Sequence, residues 1–589
     1  MKQFFKFMFA SMLGFLLSAF LLLFLLFGMI ASLASFTKKD TVTVSESSIL
    51  HLTFSSEIVD RGGRNPFDDF DFFSMSSSSA IGLNVIINNL KKAKEDKNIE
   101  GVFLDLTSLR TGWATSSEIR EALLDFKESG KFIISYGEMY TQNAYYLSTV
   151  ADEIYLHPEG AIDFRGLNGQ VLFIKNMLDK LGIDPQIIRH GKYKSAGEPF
   201  FLEQMSPENR EQVLSYISSM WNNILGDIAE TRGLSLNHLN EVADAFNTRN
   251  ADLALEHQMI EGIKYHDEIR ELLLEKVGKE KDKDLNLISL AKYDRAPQPK
   301  GTVAPRSRNK VAVVYASGNI LPGEGGERTI GSNVAKAMRE ARLDTTVKAI
   351  VLRINSGGGS ALVSDVILRE VKLAAEAKPV IASMGDVAAS GGYYIACAAD
   401  LIMVNPNTIT GSIGVFGMIP NMQNFFNNKL GITFDNVKTN ELADLASVSR
   451  PLNTREREII QESIEQVYET FIGHVAEGRK MPADLVDDLG QGRVWSGSEA
   501  RQNGLIDEFG GLSDAIAKAA ELAELDDYRT VELPQRKELF EKLLEDFGGI
   551  QERIIERRLG AAYHYYKQVE ELNQMTGILA RMPYDVVIE

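Results

Sequence analysis

Along this chain, short apolar runs alternate with segments whose apolar residues recur every three to four positions. GVFLDL (101–106) and AIVLRI (349–354) are near-continuous apolar runs and predict buried strands. Each is followed by apolar residues at i and i+4, Ile119 and Leu123 in one case, Ile367 and Val371 in the other. That spacing predicts a helix after each strand, with Ser116 and Ser364 as candidate N-caps. KFIIS (131–135) and PVIAS (379–383) read as the next strands. Ile49, Leu50, Leu52 and Phe54 suggest another strand, as do Val311, Val313, Val314 and Tyr315. Strand–helix–strand alternation implies an α/β fold with largely parallel pairing. The tail from Arg536 to about Met575, rich in Leu, Glu, Lys and Arg, is expected to be helical.

The pattern is written twice. Residues 101–169 align with 349–417 at a constant offset of 248, without a gap. Over 131–169 against 379–417, 11 of 39 positions are identical, among them Gly137, Tyr145, Tyr146, Asp152 and Pro158. The copies differ where chemistry could reside. Ser390, in AASGG, aligns with Gln142; Lys194, in YKSAGEPF, aligns after a one-residue slip with Ala443.

From Phe7 to Phe36 there are 30 residues without a charge, dense in Leu and Phe. As a helix they would span roughly 45 Å, against a bilayer core of roughly 30 Å. The run is too long for the apolar core of a cleaved signal peptide, about 7–15 residues. A signal anchor is expected, with Lys2 and Lys6 on the cytoplasmic side and the body outside the cytoplasm. The Lys38–Lys39 pair after the run weakens that vote. The expected organisation is an anchor at 7–36, a first repeat at 45–277, a linker at 278–310, a second repeat at 311–535 and a helical extension at 536–589. The Pro and charge content of the linker (KEKDKD, then APQPKGTVAPRSRNK) sets it apart. RGGRNPFDDFDFFSMSSSS (61–79) is expected to be a mobile loop.

Composition narrows the chemistry. The net charge of −18 argues against a nucleic-acid binder, which would carry a basic face. Cys397 is the only cysteine, so neither an intrachain disulfide nor a cysteine-based metal site can form.

Three features of the second repeat belong together. NSGGGS (355–360) follows a predicted strand, and its glycines let backbone N–H groups approach a ligand. AASGG (388–392) places Ser390 between the next strand and a helix, beside N–H groups that have no helical partner. TGSIG (410–414) is a tight turn of small residues. A nucleophilic serine needs a base, and the second repeat proper holds one histidine, His474. Lysine can serve when burial keeps it neutral. Lys194 stands between small residues and aromatics, whereas its neighbour Lys192 is expected to be solvated.

With YKSAGEPF, NSGGGS, MGDVAASGGYY and TGSIGV in hand, the chain resembles the signal peptide peptidase A family, the long, tandem-repeat, membrane-anchored form of the bacterial Ser-Lys proteases. The resemblance runs from the anchor to the C-terminal MPYDVVIE. It implies two tandem repeats of the α/β spiral fold of the ClpP and crotonase superfamily. It further implies Ser390 as nucleophile, Lys194 as general base, Gly358 and Gly391 as oxyanion donors, and Ser412 as the group orienting the lysine. Peptide substrates (cleaved signal peptides), a cytoplasmic-membrane location with a periplasmic body, a homotetramer and no cofactor are implied as well. One departure is visible: Gly357 stands where the family usually has Pro. Two rival readings are a crotonase-type acyl-CoA enzyme and a non-enzymatic membrane scaffold.

Overall fold

The computed structural model describes residues 2–36, 42–62, 70–71, 76–77, 80–299, 307–326, 328–536, 577–582 and 587–588. The apolar N-terminal run is one helix, α1 (Lys2–Phe36), which begins before the expected span. Its length and composition are compatible with a single-pass membrane anchor.

The first repeat builds a parallel sheet from β1 (Ser48–Leu52), β2 (Ile99–Asp105), β3 (Phe132–Gly137) and β4 (Glu153–Leu156). Helix α2 (Trp113–Lys127) joins β2 to β3, and α3 (Gln142–Ser148) joins β3 to β4. Strand β5 (Asp184–Arg189) leaves this sheet, and the long helix α4 (Pro207–Arg232) follows it. Two further strands, β6 (Gly262–Ile263) and β7 (Asn286–Ser289), complete the order β6-β4-β3-β2-β1-β7.

The second repeat forms a corresponding but larger sheet, of eight strands against six in the first among the described residues. Its central strands are β8 (Lys310–Ser317), β9 (Val347–Ser356) and, past the short β10 (Gly358–Ser360), β11 (Val380–Ala389). Then come β12 (Leu401–Val404), β13 (Ile409–Gly411), β14 (Phe416–Asn421), β15 (Val494–Ser496) and β16 (Arg529–Leu533). The main sheet runs β15-β13-β11-β9-β8-β16, with β12 also paired to β11. Helices α5 (Ala361–Ala375) and α6 (Gly391–Ala396) follow β10 and β11. Helices α2 and α5, and strands β4 and β12, begin and end 248 residues apart. The sequence repeat is therefore also a repeat of structural boundaries. Ala349, Ile350, Val351, Leu352 and Ile354 of β9 are all fully buried, as a parallel strand covered on both faces requires.

Three expectations change. Ser116 and Ser364 do not cap their helices. The helices start after Gly112 and Ser360, and each serine instead donates to the carbonyl four residues back, at 3.0 and 2.9 Å. The stretch expected to be linker begins too early: β7 pairs with β1, and helix Leu290–Arg295 follows it, so this part belongs to the first sheet. Leu287 and Ser289 flanking Ile288 make too short a pattern to signal it. The extension was expected to be helical; residues 537–576 lie outside the described residues, but Gly577–Arg581 is a strand, β17. It is apolar and short and is recruited by exposed strand edges. Most of the expected loop at 61–79 also lies outside the described residues.

The repeats are joined by β-pairing. Strand β5 of the first runs antiparallel to β14 of the second, from Asp184 opposite Asn421 to Arg189 opposite Phe416. This third sheet continues through β17 and β10, in the order β5-β14-β17-β10.

Candidate active site

Ser390 sits at the junction of β11 and α6 with φ 55° and ψ −113°. A positive φ is rare for a residue with a side chain and costs of order 1–3 kcal/mol. Hydrogen bonds on both sides hold it: Ser390 N donates to Gly411 O (2.8 Å), and Tyr394 N donates to Ser390 O (2.8 Å). The backbone thereby turns the hydroxyl away from both elements and towards the end of β5. Ser412 also has a positive φ, 50°.

Lys194 follows β5, and the pairing of β5 with β14 carries it into the second repeat. His190 N donates to Val415 O and Tyr193 N to Gln491 O, which fix the loop against the partner repeat. Lys194 Nζ lies 2.8 Å from Ser390 Oγ and 3.1 Å from both the carbonyl and the hydroxyl of Ser412. Lys194, Ser390 and Ser412 are all fully buried. Among the described residues no carboxylate pairs with the amine, and burial pushes the Lys194 ammonium well below the ordinary lysine range. A neutral amine has a lone pair to accept the serine proton. Lys192, as expected, is exposed.

Residues that sequence reasoning did not assign hold this loop. Arg189 Nη1 donates to Lys194 O (2.9 Å). The carboxylate of Glu198 is wholly buried. It accepts from Ser206 Oγ (2.6 Å), Ser206 N (3.2 Å) and Asn209 Nδ2 (2.9 Å). From α4, Gln212 Nε2 donates to Tyr193 O (3.2 Å) while its Oε1 accepts Val494 N–H (3.1 Å) from β15. Glu198 belongs to the YKSAGEPF motif, and that was its one available signal; Arg189 and Gln212 had none.

The glycines next to Ser390 are packed against one another. A Cβ on Gly358, which has φ 95°, would lie 2.6 Å from Gly391 N and 2.2 Å from Ala580 O. Gly391 opens α6, where the first N–H groups have no partner within the helix. Gly358 N–H is directed differently from the expectation for a free donor. It donates to Ser356 Oγ (3.1 Å), whose own hydroxyl donates to Gly318 O (2.6 Å).

Strand β17 lies directly beside this loop. It pairs antiparallel with β10, Gly359 opposite Ala580, and with β14, Gly417 opposite Ile578. Met582 N adds a 2.6 Å bond to Gly357 O. Leu579, Ala580 and Met582 are buried.

The corresponding place in the first repeat is closed. Gln142 Oε1 accepts N–H groups from Arg165 (2.9 Å) and Gly166 (3.0 Å), and its Nε2 donates to Gly166 O. Ala443, the counterpart of Lys194, is exposed on a turn.

The family model described as Peptidase family S49 matches the chain twice, at residues 125–279 and 372–526. A relative from Salmonella typhi named Protease 4 is 38% identical over 75% of this chain and 72% of its own length. One of the same name from Haemophilus influenzae is 36% identical, over 83% and 82%. Serine protease SPPA, chloroplastic, from Arabidopsis thaliana is 33% identical, over 92% and 78%. The two matches of the family model agree with the tandem architecture, and this chain belongs to Peptidase family S49 as a serine protease.

Proposed function

We propose that this protein is a membrane-anchored endopeptidase in which Ser390 is the nucleophile and Lys194 the general base. The observation that carries the reading is the 2.8 Å approach of Lys194 Nζ to Ser390 Oγ inside a fully buried site. Neutral Lys194 accepts the Ser390 proton as Oγ attacks the scissile carbonyl. The Lys194 ammonium then gives that proton to the leaving amine, and an ester remains on Ser390. Lys194 next accepts a proton from water, which attacks the ester; Oγ leaves and is reprotonated. Ser412 holds Nζ at two points, so the amine faces Oγ throughout. Gly391 N–H receives the developing oxyanion, joined by Gly358 N–H once it turns from Ser356. Such a donor is worth roughly 3–4 kcal/mol of barrier.

The position of β17 supports an extended binding mode. A peptide taking its place would pair with β10 and β14 through its main chain, which reads shape before side-chain identity. Signal peptides left in the membrane suit an enzyme tethered there by α1. Lys2 and Lys6 favour a cytoplasmic N-terminus and a periplasmic body. The assembly is a homotetramer with sites facing inward. The chain itself supplies every group that this reaction requires.

The test is hydrolysis of a peptide ester and of casein by wild type, Ser390→Ala and Lys194→Ala. Each variant should lose about 10³-fold or more of kcat. Near-wild-type turnover in either one refutes the assignment. Turnover of an acyl-CoA thioester by the wild type, without peptide hydrolysis, would favour the crotonase-type reading.

A further inference from the structure

The loop bearing Gly358 contains three consecutive glycines, Gly357 to Gly359, and cannot hold its own shape. Its root is Asn355, the penultimate residue of β9. Asn355 Oδ1 accepts Val387 N–H (3.2 Å) from β11, three residues before Ser390. Asn355 Nδ2 donates to Asp60 Oδ2 (3.1 Å), a carboxylate from the first repeat. The other oxygen of Asp60 accepts Arg353 Nε (2.7 Å). Arg353 is anchored in turn by Glu118 Oε1 (2.6 Å) and Ser383 Oγ (3.0 Å). Arg353, Asp60 and Glu118 are 0%, 3% and 2% exposed at their side chains. One carboxylate is thus bonded to β9 twice, on Arg353 and on Asn355, and through Asn355 it reaches β11.

We infer that Asp60 is a positioning residue for peptide hydrolysis: by orienting Asn355 it sets the distance between the Gly358 loop and Ser390. The inference rests on the Ser390–Lys194 reading given above. It assigns the first repeat a second task, since the half that supplies Lys194 also braces β9 and, through Asn355, the β11 backbone three residues before Ser390. The polarity of the relay is what makes it specific. Asp60 can only accept, so the Asn355 amide must present Nδ2 to it and Oδ1 to Val387. Charge-assisted, directional bonds of this kind fix an orientation that apolar packing would leave free. A displacement of about 1 Å at a reacting group can cost about 100-fold in rate.

The relay yields a reciprocal test. In Asp60→Asn, an amide that keeps its oxygen on Arg353 points its NH₂ group at Asn355 Nδ2, donor against donor. Flipping Asn355 only moves the clash to Val387 N–H. In the double variant Asp60→Asn with Asn355→Asp, the carboxylate introduced at position 355 accepts from the amide introduced at position 60 and from Val387 N–H. The net charge of the cluster is kept. The measurements are kcat, KM, the pH profile and the thermal midpoint of the full chain on a peptide ester. Asp60→Asn should lower kcat about 10- to 100-fold, with KM within about threefold and an unshifted pH profile. The double variant should return kcat to within about threefold of wild type.

Wild-type kcat in folded Asp60→Asn overturns the inference. So does a folded double variant no faster than the single one. If Asp60→Asn does not fold, Asn355→Ala, which leaves both Arg353 ion pairs in place, carries the test: reduced kcat at unchanged KM supports the relay, and wild-type kcat overturns it. Ser390→Ala is assayed in parallel. Activity retained there would show instead that the underlying catalytic reading has failed.

Discussion

Lys194 and Ser390 stand 196 positions apart in the chain, yet Nζ and Oγ are 2.8 Å apart. The two residues belong to different copies of one repeat, and a strand pairing between the copies brings them together. Several measurable consequences depend on that relationship.

The first concerns pH. Desolvation lowers the Lys194 pKa well below the ordinary value, and in the proposed mechanism the amine serves as a base only when neutral. Activity should therefore rise with pH as Lys194 loses its proton, then level off. The kcat/KM profile of a neutral peptide ester reads this directly. A rate that is flat from about pH 5 to 9 would contradict a lysine base.

The same burial has a stability cost. In the unfolded chain Lys194 holds its proton up to about pH 10.4. In the folded chain it releases that proton earlier. Between the two pKa values the unfolded state binds more protons, so stability rises with pH across that window. Below it the full penalty applies. Lys194→Met, similar in volume and uncharged, should raise the thermal midpoint at neutral pH by at least about 2 °C while abolishing turnover. The difference between variant and wild type should shrink as pH approaches about 10.

In the proposed reading base and nucleophile come from one chain, so two inactive subunits cannot repair each other by exchange. Mixed oligomers of Ser390→Ala and Lys194→Ala should stay inactive after dissociation and reassembly. Recovery approaching a quarter or more of wild-type activity would place the working lysine on a neighbouring subunit.

Strand β17 occupies the space between β10 and β14 that an extended peptide would need. A chain ending at residue 576 should bind short peptides more tightly, with KM lower by about tenfold, equivalent to about 1.4 kcal/mol. An unaltered KM would mean that peptides bind elsewhere.

Much of this architecture was legible before the fold was known. The apolar run at the N-terminus, the strands GVFLDL and AIVLRI and the 248-residue register are local properties, and the described boundaries of α2 and α5 repeat at that spacing. Ser390 and Lys194 were legible in the motifs AASGG and YKSAGEPF and in their replacement by Gln142 and Ala443 in the other copy. Helix starts were less legible: Ser116 and Ser364 looked like caps, but a serine inside the first turns can bond backwards as well as forwards. Asp60 carried no signal, because its partners Arg353 and Asn355 lie almost 300 residues away.

The sequence alone determined the strands and helices of the duplicated stretch, how the duplication is registered, and which residue types could do the chemistry. These follow from side-chain periodicity and from comparison of one copy with the other. Tertiary structure decided that β5 pairs with β14 and delivers Lys194 to Ser390. It also decided that Gly358 N–H turns onto Ser356, and that an apolar stretch near the C-terminus becomes a strand beside the glycine loop. The reason is physical. Main-chain pairing between distant strands depends on which edges are left open once both sheets have formed, and no local pattern records that.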